Sequence, residues 1–173
     1  MNAVKKLTFE NNDSQLLENV GLFQDIADQP DALAYIANLL DVECFEKGQE
    51  VITIGKNLGR LYILTHGKVD VVKTSPSGDR FAVATISHER SPFFGELGLL
   101  DDAPHSTAIL AAEDSQCYVL HRKAFDALCS EHPEWGLPIL RQMSLIMSQR
   151  LRKTTSDFLF MYSAFVDEIR GRG

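Results

Sequence analysis

The segment Phe94-Gly95-Glu96-Leu97-Gly98-Leu99-Leu100, followed by Asp101-Asp102-Ala103-Pro104-His105-Ser106-Thr107-Ala108, holds the residues best placed to do chemistry. Two glycines allow close approach of backbone to backbone, or of backbone to a ligand. A short helix starting at Glu96 would aim its first N–H groups into whatever concavity it faces, and helix N-termini favour anions. A carboxylate at that start also complements the helix dipole. The same residues read equally as a tight turn followed by a helix-start charge.

Catalytic patterns are missing elsewhere. A metal site in a double-stranded β-barrel needs two histidines one residue apart and a following carboxylate on neighbouring strands. His66, His88, His105, His121 and His132 show no such spacing, and His88-Glu89 stands as an isolated pair. Neither a Gly-x-Ser-x-Gly elbow nor a phosphate-binding loop with lysine occurs. Cys44, Cys117 and Cys129 lie far apart and are odd in number, which fits half-buried thiols in a reducing compartment and no disulfide framework. No catalytic residue, metal or cofactor is therefore expected.

The elements that must position the 94–108 segment fall into three stretches. Residues 1–44 read as helical. Asn12-Asp13-Ser14 could cap a short helix through Leu16, Leu17 and Val20 that Gly21 stops, and Pro30 could open a second helix with Ala32, Leu33, Ile36, Leu39 and Leu40 on one face. Residues 45–121 carry short apolar or alternating runs, 51–54, 61–64, 69–72, 81–86, 107–111 and 116–120, with Pro76-Ser77-Gly78-Asp79 as a hairpin turn. Many short strands without interleaved helices mean a sandwich or barrel. Residues 122–173 return to helix, with Gly136-Leu137-Pro138 as an expected break and Pro138 as the first residue of a long helix.

Along that helix Leu140, Met143, Met147, Leu151, Thr154, Phe158, Met161, Phe165 and Ile169 recur at steps of three and four, a seam suited to a partner helix. Ile139, Ile146, Leu159, Tyr162 and Val166 form a second stripe, so the β-domain on one side and another helix on the other are the expected partners. The alternative is a single core helix without dimerisation.

The chain has 173 residues, enough for one domain with a real core, and its 45% hydrophobic and 24% charged content argues against extended disorder. A formal net charge of −7 gives no global attraction to nucleic acid or acidic lipid, although a local basic pocket for one small anion remains open. The N-terminus lacks an apolar run behind Lys5 and Lys6, and no stretch reaches the roughly 18 apolar residues of a membrane span. A cytoplasmic protein is expected.

The 94–108 segment resembles the phosphate-binding cassette of cyclic-nucleotide-binding domains, as found in the catabolite activator family and in regulatory subunits of cyclic-AMP-dependent kinase. Phe45-Glu46-Lys47-Gly48-Gln49-Glu50-Val51-Ile52, then Gly55, then Leu61 through Val69 with Gly67, are similar to that family's opening strands and glycine turns, and the helix after Pro138 to its C-helix. The resemblance covers residues 15 to 160. It implies a mainly β fold, a jelly-roll-type β-roll with N-terminal helices and a long C-terminal helix, that senses a cyclic mononucleotide.

By that resemblance Glu96 would accept a hydrogen bond from the ribose 2′-hydroxyl. Gly95, Leu97 and Gly98 would cradle the cyclic phosphate with backbone, and Ser106 would face it. Thr154 and Thr155 would meet the base, which favours cyclic AMP over cyclic GMP; as β-branched helix residues they could equally just back-bond. Two positions depart from the family pattern. His105 stands where the cassette has arginine, with fewer donors and no permanent charge. Ser91 stands where a glycine precedes the cassette, and the neighbouring Arg90 is a possible compensating charge.

The expected function is a cyclic-nucleotide-sensing regulatory domain that signals through its C-helix as a homodimer to a further protein partner. The alternative is a nucleotide-independent interaction adaptor with a degenerate cassette. Because the chain ends at Arg170-Gly171-Arg172-Gly173, without a helix-turn-helix after the C-helix, specific DNA binding is not expected of it.

Overall fold

Residues 5–6, 16–75, 77–90 and 92–171 are described by a computed structural model of the chain. The cap residues Asn12, Asp13 and Ser14, the turn residue Pro76, Ser91 and the Arg90 side chain lie outside the described residues.

Alternating burial sorts the strands into two antiparallel sheets. One has the order β1-β2-β9-β4-β7, built from Lys5–Lys6, Leu40–Phe45, Ser115–His121, Arg60–His66 and Phe93–Phe94. The other has the order β3-β8-β5-β6, built from Glu50–Ile52, Ala108–Ala111, Lys68–Thr74 and Arg80–Ser87. Between them lies one core of Phe45, Tyr62, Leu64, Val69, Phe94, Ile109, Cys117 and Val119. The other face of the first sheet presents Val42, Leu61, Ile63, Tyr118 and Leu120 to the helices. Period-two alternation, with both faces covered, makes β4 and β9 the most buried strands. The architecture is the expected jelly-roll-type β-roll with flanking helices.

Two boundaries here differ from the sequence reading. The strand β2 begins at Leu40, ahead of the residue-45 opening, because Leu40 and Val42 pack on the helical side while Phe45 packs in the roll. The short helix is present over residues 16–18 but ends before Gly21, which instead opens the three-ten helix Gly21–Ile26, whose Leu22, Phe23 and Ile26 are buried. Pro30 does open its helix, α1, Pro30–Asn38.

The helix α2, Leu97–Leu100, follows β7, and α3 covers Arg122–Glu131. The expected break at residues 136–138 is absent: α4 runs from Pro133 to Gly171 with Pro138 inside it. Pro133 is the first-turn proline instead. Gly136 serves close packing, since a Cβ there would sit 2.7 Å from the Cys129 Cα of α3. Pro138 is the sixth residue of α4, so the one amide hydrogen bond it removes is that to the Glu134 carbonyl in the first turn.

The two stripes on α4 also divide differently from expectation. Ile139 and Met143 are fully buried, and Ile146 and Met147 pack partly, against the chain's own helical core. From Leu151 onward the side chains are exposed except the half-buried Val166. The near half of α4 is a core helix and the far half projects. Among the described residues no helix is long and apolar enough to cross a membrane.

Candidate functional site

The cassette is built around Gly95. Its φ of +77° is left-handed, and a Cβ would lie 2.9 Å from the Arg60 carbonyl oxygen and 3.2 Å from Ile52 Cδ1 and Tyr62 Cδ2. Only glycine fits without strain, because the chain must turn from β7 while lying flat against β4. Gly98, one helical step on, faces the same strand: its Cβ would meet Asn57 Oδ1 at 3.1 Å and the Arg60 carbonyl at 3.2 Å. Both expected glycines therefore rest on the backbone of Arg60.

Side chains outside the cassette lock it from behind. Asn57 donates to the carbonyls of Asp101 and Ala103 at 2.8 and 3.1 Å and accepts from the Gly59 amide at 2.8 Å. Arg122, the first residue of α3, donates from Nε and Nη2 to the Gly98 carbonyl at 3.1 and 2.5 Å, and also reaches the Asp101 carbonyl and the Asp102 carboxylate. Its cation sits where the C-terminus of α2 presents unpaired carbonyls, the favourable end for positive charge.

Glu96 precedes α2 and is buried, at 8% exposure. Its Oε1 accepts from Arg150 Nη1 at 2.6 Å, and Arg150 Nη2 donates to the Phe93 carbonyl at 3.0 Å. The same guanidinium stands 5.1 Å from the Phe93 ring centroid. One arginine on α4 thus grips both ends of the β7–α2 turn. Sequence reasoning passed over Arg150, although it lies four residues before Thr154, one helical turn, and faces the only buried cassette carboxylate among the described residues.

His105 is half-buried and held by backbone bonds to the loop before β4: its amide donates to the Lys56 carbonyl at 3.0 Å, and its carbonyl accepts from the Gly55 amide at 2.8 Å. It lines a cavity of about 320 Å³ with Glu43, Phe45, Ile52, Lys56, Arg60 and Tyr62. Arg60 Nη1 donates to the buried Glu43 Oε1 at 2.9 Å across this cavity wall. Burial pushes the Tyr62 phenol up, against the lowering effect of Arg60. At the cavity rim, Arg80 hydrogen-bonds Glu50 at 2.7 Å and holds that carboxyl below its ordinary value.

The remaining expected residues are more dispersed. Leu97 and Ser106 are exposed at the cassette surface. Thr154 and Thr155 are exposed on α4, and the Thr155 hydroxyl donates back to the Leu151 carbonyl at 2.9 Å. Gly95, Glu96 and Gly98 are brought together with Arg60 and Arg150. The threonines stand on the projecting half of the helix. Among the described residues no cluster of three metal-ligating side chains occurs.

Residues 42–132 match the family described as cyclic nucleotide-binding domain. The chain is 29% identical over 143 residues to a CRP-like cAMP-activated global transcriptional regulator of Mycobacterium tuberculosis, covering 83% of this chain and 60% of that protein. It is 38% identical over 93 residues to a cAMP-dependent protein kinase regulatory subunit of Mucor circinelloides, covering 54% of this chain and 21% of the other. The chain thus spans less than two thirds of the length of either relative. Among solved structures, a cyclic nucleotide-binding domain from Methylobacillus flagellatus superposes with a TM-score of 0.73 at 17% identity, covering 92% of this chain and 87% of that one. The catabolite activator protein of Thermus thermophilus superposes with 0.71 at 22% identity, covering 82% and 62%.

Proposed function

We propose, for a chain that belongs to the cyclic nucleotide-binding domain family, that the β-roll takes up a cyclic mononucleotide at the 94–108 cassette and reports it through α4. The observation that carries this reading is the 2.6 Å bond between Glu96, the cassette carboxylate, and Arg150 of the long helix. A ribose hydroxyl donating to Glu96 enters the same hydrogen-bonded unit as the helix. Ligand and helix position then share one free energy, which is what a sensor requires.

In this reading Gly95, Leu97 and Gly98 present backbone to the cyclic phosphate, and Ser106 lies beside it. Cyclic AMP is the proposed ligand, with Thr154 and Thr155 turned to the base when the far half of α4 closes over the roll. Support comes from the names of two relatives, a cAMP-activated global transcriptional regulator and a cAMP-dependent protein kinase regulatory subunit. The domain is regulatory and performs no bond chemistry of its own. Its place is the cytoplasm, in keeping with three free thiols.

The exposed far half of α4, with Phe158, Met161, Phe165 and Ile169, is the proposed contact with a second copy. A homodimer through it would carry the helix movement to a further protein.

A thermal-shift panel tests the reading. Cyclic AMP should raise the unfolding midpoint more than cyclic GMP, and linear AMP should have no effect. Equal effects of cyclic and linear nucleotides, or no effect of any, contradict it. A nucleotide-independent adaptor is the second reading, favoured by His105 in place of the cassette arginine.

A further inference from the structure

We infer that Arg60, on β4, is the cation that grips the ligand's phosphate in place of the missing cassette arginine, and that Glu43 competes with the ligand for it as the counterion that keeps the charge inside the roll. This rests on the nucleotide-binding reading above and names a residue that reading did not contain.

Three observations converge on Arg60. Its backbone is the surface on which the cassette glycines lie, its carbonyl 2.9 Å from the Cβ position of Gly95 and 3.2 Å from that of Gly98. Its side chain points into the roll, with Tyr62 and Leu64 following on the same face of β4. There it lines the cavity that His105 lines from the cassette side, so a guanidinium and the substituted position share one space. Lys56 lines the same cavity from the loop that pairs with His105.

The counterion explains how such a charge persists inside the roll. The Glu43 side chain is 6% exposed and that of Arg60 28%, and the pair meets at 2.9 Å. A carboxylate so buried is costly unless paired, and replacing an ion pair by apolar residues commonly costs a fold little. A purely structural pair at this depth is therefore a weak explanation. Guanidinium carries five donors in a fork, so one arm can stay on Glu43 while the others take phosphate oxygens. Histidine at 105 then contributes a single ring donor to an anion already held by Arg60.

The cavity's charges agree. Glu43 is paired with Arg60, and Glu50 with Arg80 at the rim, so Lys56 leaves the lining with one uncompensated positive charge. A single negative charge suits this balance, and cyclic phosphate diesters carry one.

Calorimetric titration of cyclic AMP into four forms of the full chain tests the inference, with unliganded thermal midpoints measured alongside. Arg60→Gln should weaken binding by about tenfold or more, the usual scale for one charged hydrogen bond. Glu43→Gln should tighten it several-fold by freeing the guanidinium. The double variant Glu43→Gln with Arg60→Gln replaces the ion pair by two amides that can bond each other, keeping the fold, and should bind as weakly as Arg60→Gln alone. Wild-type affinity in Arg60→Gln overturns the inference and leaves the nucleotide reading standing. Wild-type affinity in the double variant also overturns it, since Arg60 would then serve only to neutralise Glu43. Absence of binding by the wild type brings down both the reading and the inference.

Discussion

Arg150 of α4 and Glu96 of the cassette meet at 2.6 Å, and through the Phe93 carbonyl the same arginine spans the turn on which the cassette hangs. The pair joins the long helix α4 to the edge of the roll. Arg150 is about half exposed, so the bond itself stabilises the fold by only on the order of 1 kcal/mol. Its consequence is positional.

Removing this bond should loosen the helix and leave the sheets intact. In Arg150→Ala, and equally in Glu96→Gln, hydrogen exchange should rise across residues 147–155 while β4 and β9 keep their protection. Unchanged exchange in both variants would show that packing of Met143 and Ile146 alone seats α4.

Gly95→Ala should destabilise the protein by about 1–3 kcal/mol, because the new Cβ meets both a left-handed φ and the Arg60 carbonyl. The thermal midpoint should fall by several degrees. An unchanged midpoint would mean that the cassette can shift off β4 at no cost.

Thiol chemistry should report the roll. Cys44 is exposed on β2, Cys129 is half-buried, and Cys117 lies in the core between the sheets. Burial pushes the Cys117 and Cys129 thiols up, away from the reactive thiolate. At mildly alkaline pH, mass spectrometry should find Cys44 alkylated first and Cys117 last, with all three alike in denaturant. Early labelling of Cys117 in native protein would contradict the packing.

Phe158 and Phe165, 60% and 63% exposed, should hold two copies together. Water tolerates such a strip poorly on a monomer. Sedimentation at micromolar concentration should give a dimer for the wild type and a folded monomer for Phe158→Asp with Phe165→Asp. A monomeric wild type would contradict this.

The strand positions were legible because period-two runs such as Arg60–His66 and Ser115–His121 are bounded by turns, and Gly95, Glu96 and Gly98 stood out by residue type. Leu40–Phe45 was hidden because its first residues continue the helical spacing of Pro30–Asn38; strand pairing with β9 decides it. The glycine-proline pair at 136 and 138 misled, since Gly136 is required by the approach of Cys129, a contact that no local pattern contains. Arg60 and Arg150 were missed for the same reason. Their partners Glu43 and Glu96 lie 17 and 54 residues away in sequence.

The proposed function places a cyclic nucleotide at the cassette carboxylate, Glu96. Calorimetric titration of cyclic AMP into the wild-type chain and into Glu96→Ala tests it most directly. Saturable binding of one nucleotide per chain is expected, weakened by about tenfold or more in Glu96→Ala through loss of the bond from the ribose hydroxyl to a charged acceptor. Equal affinity in the two proteins, or no binding by the wild type, would contradict it.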